Sequence, residues 1–542
     1  MPSLLDLTLD IRTLICREDV LRRKDLARLS RSCKAWHEAA NPVLWSYIRL
    51  TNLLRLLPEG AFSRAHTSSS VTLDALSAEH WAPLLKLSPL VKRLRFNKFV
   101  DDIVRSLIAE NPPPTTLFPN LITLEFRDAP PRYVYVNERS AREFYRERCK
   151  FLEAIIPPHV SISTLDLGNV FFDVFICRSI PLNGNSLTRL RVEETVGSTF
   201  YAAYGPSGLS ALVKALSGMP HLLEVALKLP FDREPMLLKA LSRLPALESL
   251  SLSLSRAAVR RGHWTRVPPA YSEGAFPALR HLYLHSGLSF VDAIDIIQCA
   301  PVTRRRPLEI LKVVCADADP SSTLSALTEV MRRHCSFEHL EEVTIDDFFV
   351  SFDWPLLSKH VAPLTAFSRL TDLYICPLEG TELTDDDCLQ MARAWPNLQN
   401  LDIFVNCEIC PKEGIACTLA SLAAFAKYCP QICHINMNFT ATDIPDRTTA
   451  APHSLILAGA GNRRTDPVEI PLQACVDITN GRDVADFLID VFDGMARVNL
   501  VYPEDFTDPR TEGATGEFIR RDAEWEQVRF LTSGCREEPS LP

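Results

Sequence analysis

The residues that could do chemistry stand in three places. His281-x-Tyr283-x-His285 offers two imidazoles on one alternating stretch. Cys407-x-x-Cys410, followed by Cys417, Cys429, Cys433 and His434, has the composition of a zinc ligand set. Gly459-Ala460-Gly461 follows an apolar stretch in the manner of a phosphate-cradling loop. Along a strand, the step from His281 to His285 spans about 13 Å, whereas zinc sits about 2 Å from each ligand. One ion cannot join the two rings. The third glycine position of the loop holds Arg464, and no strand–helix–strand frame surrounds it, so a turn suffices. Cys429-Pro430 and Cys433 fall at the junction of a helix and a strand, where cysteine fills a tight buried slot, so core outweighs zinc there. A nucleophile elbow, a Walker loop and a paired-carboxylate frame are absent from the sequence. The expectation is a chain that is not an enzyme and holds no metal and no cofactor.

Bulk properties narrow the partners. A net charge of −9 over 542 residues argues against a nucleic-acid binder or an anionic-membrane binder. The compact basic run Arg304-Arg305-Arg306 reads as a solvated turn. No stretch approaches the roughly 20 apolar residues of a membrane span. Asp6 and Asp10 interrupt the apolar N-terminal segment, so it does not read as a signal peptide. The 16 cysteines lack short-domain spacing and are expected to be reduced, which places the chain in the cytosol or nucleus.

The elements that must position any site come from a repeat. A phrase of the form LxxLxL recurs as VKRLRF at Val91, LITLEF at Leu121, ISTLDL at Ile162, LTRLRV at Leu187, LLEVAL at Leu222 and LESLSL at Leu247. It continues as LRHLYL at Leu279, LEILKV at Leu308, LEEVTI at Leu340, LTDLYI at Leu370, LQNLDI at Leu398 and ICHINM at Ile432. Looser copies fall at Leu455 to Leu457 and at Ala496 to Leu500. The alternation ending each phrase has the two-residue period of a strand with one buried face. Several spacers are helical: Leu209 to Leu216, Leu324 to Met331 and Thr418 to Tyr428 place apolar residues three and four apart. Prolines in MPHL, LPAL, FPAL, WPNL and CPQI end those helices and set up the next strand. One strand and one helix per unit is the pattern of a leucine-rich repeat, an α/β solenoid with parallel strands inside and helices outside. The insertions after LITLEF and around Ser255 to Pro269 are expected to leave it as loops.

The first fifty residues differ. Ile11, Leu14 and Ile15 share one helical face, and Leu26, Leu29, Cys33 and Trp36 form a second stripe. Asp25 is placed to cap that second helix, Pro42 to stop it, and Val43, Leu44, Trp45 and Ile48 to open a third apolar segment. The run DLARLSRSCKAWHEAANPVLWSYIRL resembles the core of an F-box, with its basic, Cys and Trp positions and its LW pair in the same order. F-box followed by degenerate leucine-rich repeats is similar to the large F-box families of fungi. The opening departs from the family: LLDLTLDI stands where a Leu-Pro-x-Glu turn is usual.

The resemblance implies a small all-α F-box at 1–50, a helical linker or N-terminal cap at 51–90 and irregular right-handed repeats over 91–505. An acidic tail follows at 506–542, with a capping helix around Trp525. It further implies a substrate receptor of an SCF-type cullin–RING ubiquitin ligase. Carried over by position, the adaptor-facing residues are Leu5, Ile11, Ile15, Leu26, Leu29, Cys33, Trp36, Leu44 and Trp45. Through the adaptor the chain would reach a cullin, and the repeats would hold a protein substrate. On the strand face, Tyr283, Glu342, Asp346, Asp372, Tyr374, Asp402 and Phe404 make an acidic, aromatic stretch suited to a basic segment of that substrate. A leucine-rich scaffold or inhibitor that recruits no ligase is the other class these residues allow.

Overall fold

The computed structural model describes residues 7–18, 21–54, 56–57, 78–96, 112–127, 160–168, 186–193, 210, 212–229, 235–254, 274–285, 288–299, 305–315, 320–347, 355–376, 381–403, 416–445, 467–473, 478–492, 494, 496–501 and 516–533. The chain divides into two compact units, Met1–Leu247 and Glu248–Pro542.

The first unit opens with three helices, α1 (Leu9–Arg17), α2 (Arg23–Ser32) and α3 (Lys34–Ser46). Thr8 caps α1, and the Asp25 carboxylate accepts from the Arg22 backbone N–H at the start of α2. Cys16, Leu26, Trp36, Ala39 and Ala40 form the core of the module, with Ile15, Leu29, Cys33, Val43 and Leu44 packed on its margin. Small Ala39 and Ala40 let the helices approach closely enough to cover an indole. Pro42 does not stop the helix as expected; it lies inside α3. Its missing N–H frees the carbonyl of Glu38, a residue exposed to water, so the loss is made good by solvent.

A strand follows at once. β1 (Tyr47–Arg49) precedes the short helix α4 (Leu50–Leu54), so the sheet begins inside the stretch assigned to the helical module. After α5 (Ala78–Leu87) come β2 (Arg93–Phe96), β3 (Thr123–Arg127), β4 (Thr164–Gly168), β5 (Arg189–Glu193) and β6 (Glu224–Lys228). Each pairs in parallel with its predecessor. Residues 212–216 are helical, and α6 (Pro235–Ser242) ends before Leu244-Pro245.

The second unit repeats the plan. Its strands are β7 (Ser249–Ser253), β8 (His281–His285), β9 (Ile310–Cys315), β10 (Glu342–Asp347), β11 (Asp372–Cys376), β12 (Asn400–Ile403), β13 (His434–Met437), β14 (Val468–Gln473) and β15 (Ala496–Val501). All pair in parallel in chain order. The helices between or after them are α7 (Phe290–Gln298), α8 (Pro320–His334), α9 (Ser358–Val361), α10 (Asp385–Ala394), α11 (Leu419–Tyr428), α12 (Gly481–Val491) and α13 (Gly516–Thr532). Helix α7 packs on α8, α10 on α11 and α12 on α13.

The α/β expectation holds in each unit, and the parallel strands with intervening helices are consistent with a solenoid. The three apolar positions of all twelve clear copies of the phrase are buried, from Val91, Leu94 and Phe96 to Ile432, Ile435 and Met437. Each fully buried Leu or Ile contributes about 1.5–3 kcal/mol, and the register stacks like on like, as in Leu124 beside Leu165. A second device recurs at the strand starts. One carbonyl accepts from two successive N–H groups of the next repeat: Glu309 O from Glu341 and Glu342, Glu341 O from Thr371 and Asp372. β14 was not marked by the phrase; Val468 and Ile470 alternate inward, but no leucine leads in.

Arg306 overturns the reading of its basic run as a solvated turn. It is buried, and its guanidinium donates to the carbonyls of Phe276, Ala275 and Ile296. A planar fork of donors can serve several carbonyls that no strand pairs. Arg305 lies over the Phe337 ring at 3.7 Å, and Arg304 falls outside the described residues. Outside them too lie the loop candidates after LITLEF and around Ser255 to Pro269, the loose copy at Leu455 to Leu457 and Gly459 to Gly461. Among the described residues no helix is long and apolar enough to cross a membrane.

Candidate functional site

Parallel register turns the outward residues of β8 to β14 into rows. One row runs His281, Ile310, Glu342, Asp372, Asn400, His434, Glu469; the next runs Tyr283, Lys312, Thr344, Tyr374, Asp402, Asn436. Neighbouring strands lie about 4.8 Å apart, so these side chains crowd one another across the face. A cleft of about 730 Å³ opens over β10 to β14, lined by Glu342, Asp346, Asp372, Asp402 and Glu469, with Tyr374, Asn400, Cys433, His434 and Pro467. The alternation of the sequence thus brings together Glu342, Asp346, Asp372, Tyr374 and Asp402. Tyr283 lies beyond the cleft, in the Tyr374 row, and Phe404 falls outside the described residues. Glu469 and Pro467 were missed, because β14 lacks the leucine that marks the other strands.

Five carboxylates line this cleft against one histidine. Asp372 accepts hydrogen bonds from Thr371 Oγ1 and Asn400 Nδ2, each at 2.6 Å. Asn436 Nδ2 donates to Asp402 at 2.9 Å, while His434 Nε2 stands 4.0 Å from its other oxygen. Asp346 has no hydrogen-bond or ion-pair partner among the described residues. Burial pushes the Asp346 carboxyl above the usual carboxylate range. Burial does the same to Asp402, with His434 and Asn436 opposing it. Burial first, and then the charges of Cys376, Asp346 and Asp402, raise the Tyr374 phenol, which therefore stays neutral at physiological pH.

At the edge of the cleft the face already holds one ammonium. Lys312 Nζ lies 2.5 Å from Glu342 and 6.0 Å from the centre of the Tyr283 ring. Two strands on, tyrosine and carboxylates recur at Tyr374, Asp346 and Asp402, with no lysine among the residues lining them. Such a face attracts a cation through charge and ring quadrupole together.

The other candidate residues separate. Cys417 Sγ donates to Leu383 O at 3.0 Å and stands 3.6 Å from Cys388 Sγ, while Cys429 Sγ points to the Trp395 and Ala392 carbonyls. These are two different buried slots. Cys407 and Cys410 lie outside the described residues, among which no three His, Cys, Asp or Glu side chains are placed to hold one metal ion. His281 Nε2 lies 3.1 Å from Glu309.

At the N-terminal module, Leu26 and Trp36 are sealed in its core, and Ile15, Leu29, Cys33 and Leu44 lie on its margin. Trp45 is half-buried, and Leu5 is outside the described residues. Ile11 is 44% exposed and shares α1 with Leu9 and Leu14, at 47% and 58%. Among the described residues of the module, Leu14 and Leu9, not the tryptophans, are the most exposed apolar side chains; a stripe in the sequence does not say which of its two sides faces water.

No family model matches the sequence, and no curated protein does. Among solved structures, a chain of the yeast Rad7 and Elc1 complex is similar, at 14% identity and a TM-score of 0.39, over 79% of this chain and 88% of that chain. A likeness at that level carries no argument about function.

Proposed function

We propose that the chain is a non-catalytic substrate receptor of an SCF-type cullin–RING ubiquitin ligase, acting in the cytosol or nucleus. The helical module docks the adaptor, and the acidic strand face of the second unit holds a basic segment of the target. The observation that carries the target half is the cleft with its five carboxylates around Tyr374. A lysine or arginine entering it would meet Asp346, a carboxylate without a partner among the described residues, and the π-face of a neutral phenol. Support for the adaptor half is the run from Asp25 to Leu50, with its F-box order of residues, and the exposed Leu9, Ile11 and Leu14 on α1.

Two measurements test the two halves. The purified chain, mixed with the SCF adaptor subunit, is expected to form a stoichiometric complex on size exclusion, and Ile11→Glu with Leu14→Glu is expected to abolish it. These positions face water, so the double variant should keep the fold. An acetylated (Lys-Ala)4 peptide is expected to bind the parent chain and to lose at least tenfold in affinity with Asp346→Lys plus Asp402→Lys. A parent chain that binds the peptide and ignores the adaptor would be a scaffold. The sealing of Trp36 inside its own module favours that second reading.

A further inference from the structure

Helix α2 of the first unit divides its residues between two stripes. Leu26 and Leu29 turn to the core of the helical module. Lys24, Arg28 and Arg31 follow one another at offsets of four and three, so they share the other stripe, and all three are exposed. Arg22 at the head of α2 and Lys34 at the start of α3 are exposed as well. Among the described residues a single ion pair answers these five cations, Asp25 with Arg28 at 3.7 Å. Arg31 Nε donates to Ala27 O at 3.1 Å, within the helix. Like charges one turn apart weaken a helix, so this stripe is not written for the stability of its own module.

The cleft over β10 to β14 carries the matching deficit. Lys312 pairs with Glu342 and Arg497 with Glu469. Asp346, Asp372 and Asp402 have no lysine or arginine partner among the described residues, and His434 reaches only Asp402, at 4.0 Å. The lengths agree as well. From Lys24 to Arg31 the helix rises about 10.5 Å. β10, which bears Asp346, lies two strand spacings from β12, which bears Asp402, or about 9.6 Å. Lys312, held against Glu342 and the Tyr283 ring, shows how this face seats an ammonium.

We propose that the basic stripe of α2 in one copy docks into the acidic cleft of a second copy, so that the chain occupies its own target site. The contact joins two different surfaces, and each copy carries one of each, which is the arrangement of a head-to-tail assembly. The inference rests on the reading of the cleft as a receiver of basic side chains, and it adds the regulation of that site. Self-association and target binding exclude one another: a rising concentration of the chain closes the cleft, and a basic target disperses the assembly. The net charge of −9 on each copy opposes their approach, so the contact is weak and forms where the chain is concentrated.

Sedimentation of the full chain over a series of concentrations tests this. The parent is expected to associate as its concentration rises, and the acetylated (Lys-Ala)4 peptide to return it to monomer. Two variants are each expected to lose at least tenfold in self-affinity: Asp346→Lys plus Asp402→Lys, and Lys24→Glu plus Arg28→Glu plus Arg31→Glu. An equimolar mixture of the two restores one basic stripe facing one acidic cleft and is expected to form a dimer that neither variant forms alone. A contact regained on mixing cannot come from damage to the fold. A parent that stays monomeric at every concentration, an association that survives either variant, or a mixture that does not associate would overturn the proposal. Where the peptide binds and the parent stays monomeric, the self-contact fails and the reading of the cleft stands; a monomeric parent that ignores the peptide sinks both.

Discussion

The two strand faces share a scaffold and differ in what they leave unanswered. In the first unit the outward positions are rich in arginine, and five ion pairs among the described residues, including Arg189 with Glu224 and Lys228 with Glu193, neutralise much of that charge. In the second unit five carboxylates stand outward over β10 to β14; Lys312 pairs with Glu342 and Arg497 with Glu469, while Asp372 and Asp402 are answered mainly by amides and a hydroxyl. Beneath both runs the same ladder of buried Leu, Ile, Val and Phe. Inward positions are fixed by packing; outward ones are free to be written for a partner, and these two stretches are written in opposite signs.

The largest effect expected from breaking this comparison comes from the ladder. Leu401→Ala removes a fully buried side chain under the cleft and should cost about 2–5 kcal/mol, read as a lower midpoint in urea. Basic-peptide binding should fall with it. Next is pH. The raised Asp346 and Asp402 take up protons at a higher pH than ordinary aspartates. Basic-peptide binding should therefore weaken on acidification before ordinary aspartates protonate, and recover as pH rises again.

The sign for stability is opposite. An acid whose folded pKa lies above its unfolded value holds more protons when folded, so the charged form costs stability as pH rises through that window. Asp346→Asn should therefore raise the melting temperature slightly while weakening the basic peptide. A stabilised variant with undiminished binding would sink the functional reading of the cleft. The smallest effect belongs to an exposed pair: Glu224→Gln removes the partner of Arg189 and should change stability by no more than about 0.5 kcal/mol.

Most of the scaffold was legible because each inward position of the phrase has one geometric solution. Leu373 and Ile375 cannot alternate and also face water without unravelling the register, and their sequence says so. β1 and β14 were not legible: Tyr47-Ile48-Arg49 is too short to show a period, and Pro467 stands where a leading leucine would be. Arg306 was misread because its partners, the carbonyls of Ala275, Phe276 and Ile296, come from turns and helix ends whose proximity only the fold creates. In the cleft, the aspartates and Tyr374 could be placed on one face from alternation alone. Their unequal neutralisation could not, since it depends on Asn400, Asn436 and Lys312 reaching across from neighbouring strands.

Helix α13 does more than end a series of repeats. Its Glu524 carboxylate accepts from the Gly481 N–H at the head of α12, where a side chain on Gly481 would collide with the Glu524 backbone. Its Trp525 is sealed edge-on against Phe439, and Thr532 Oγ1 takes the Val498 N–H of β15. A backbone donor that would otherwise invite a foreign strand is thus already engaged. The last helix packs along β15, so the lateral growth by which open sheets polymerise is obstructed at this margin.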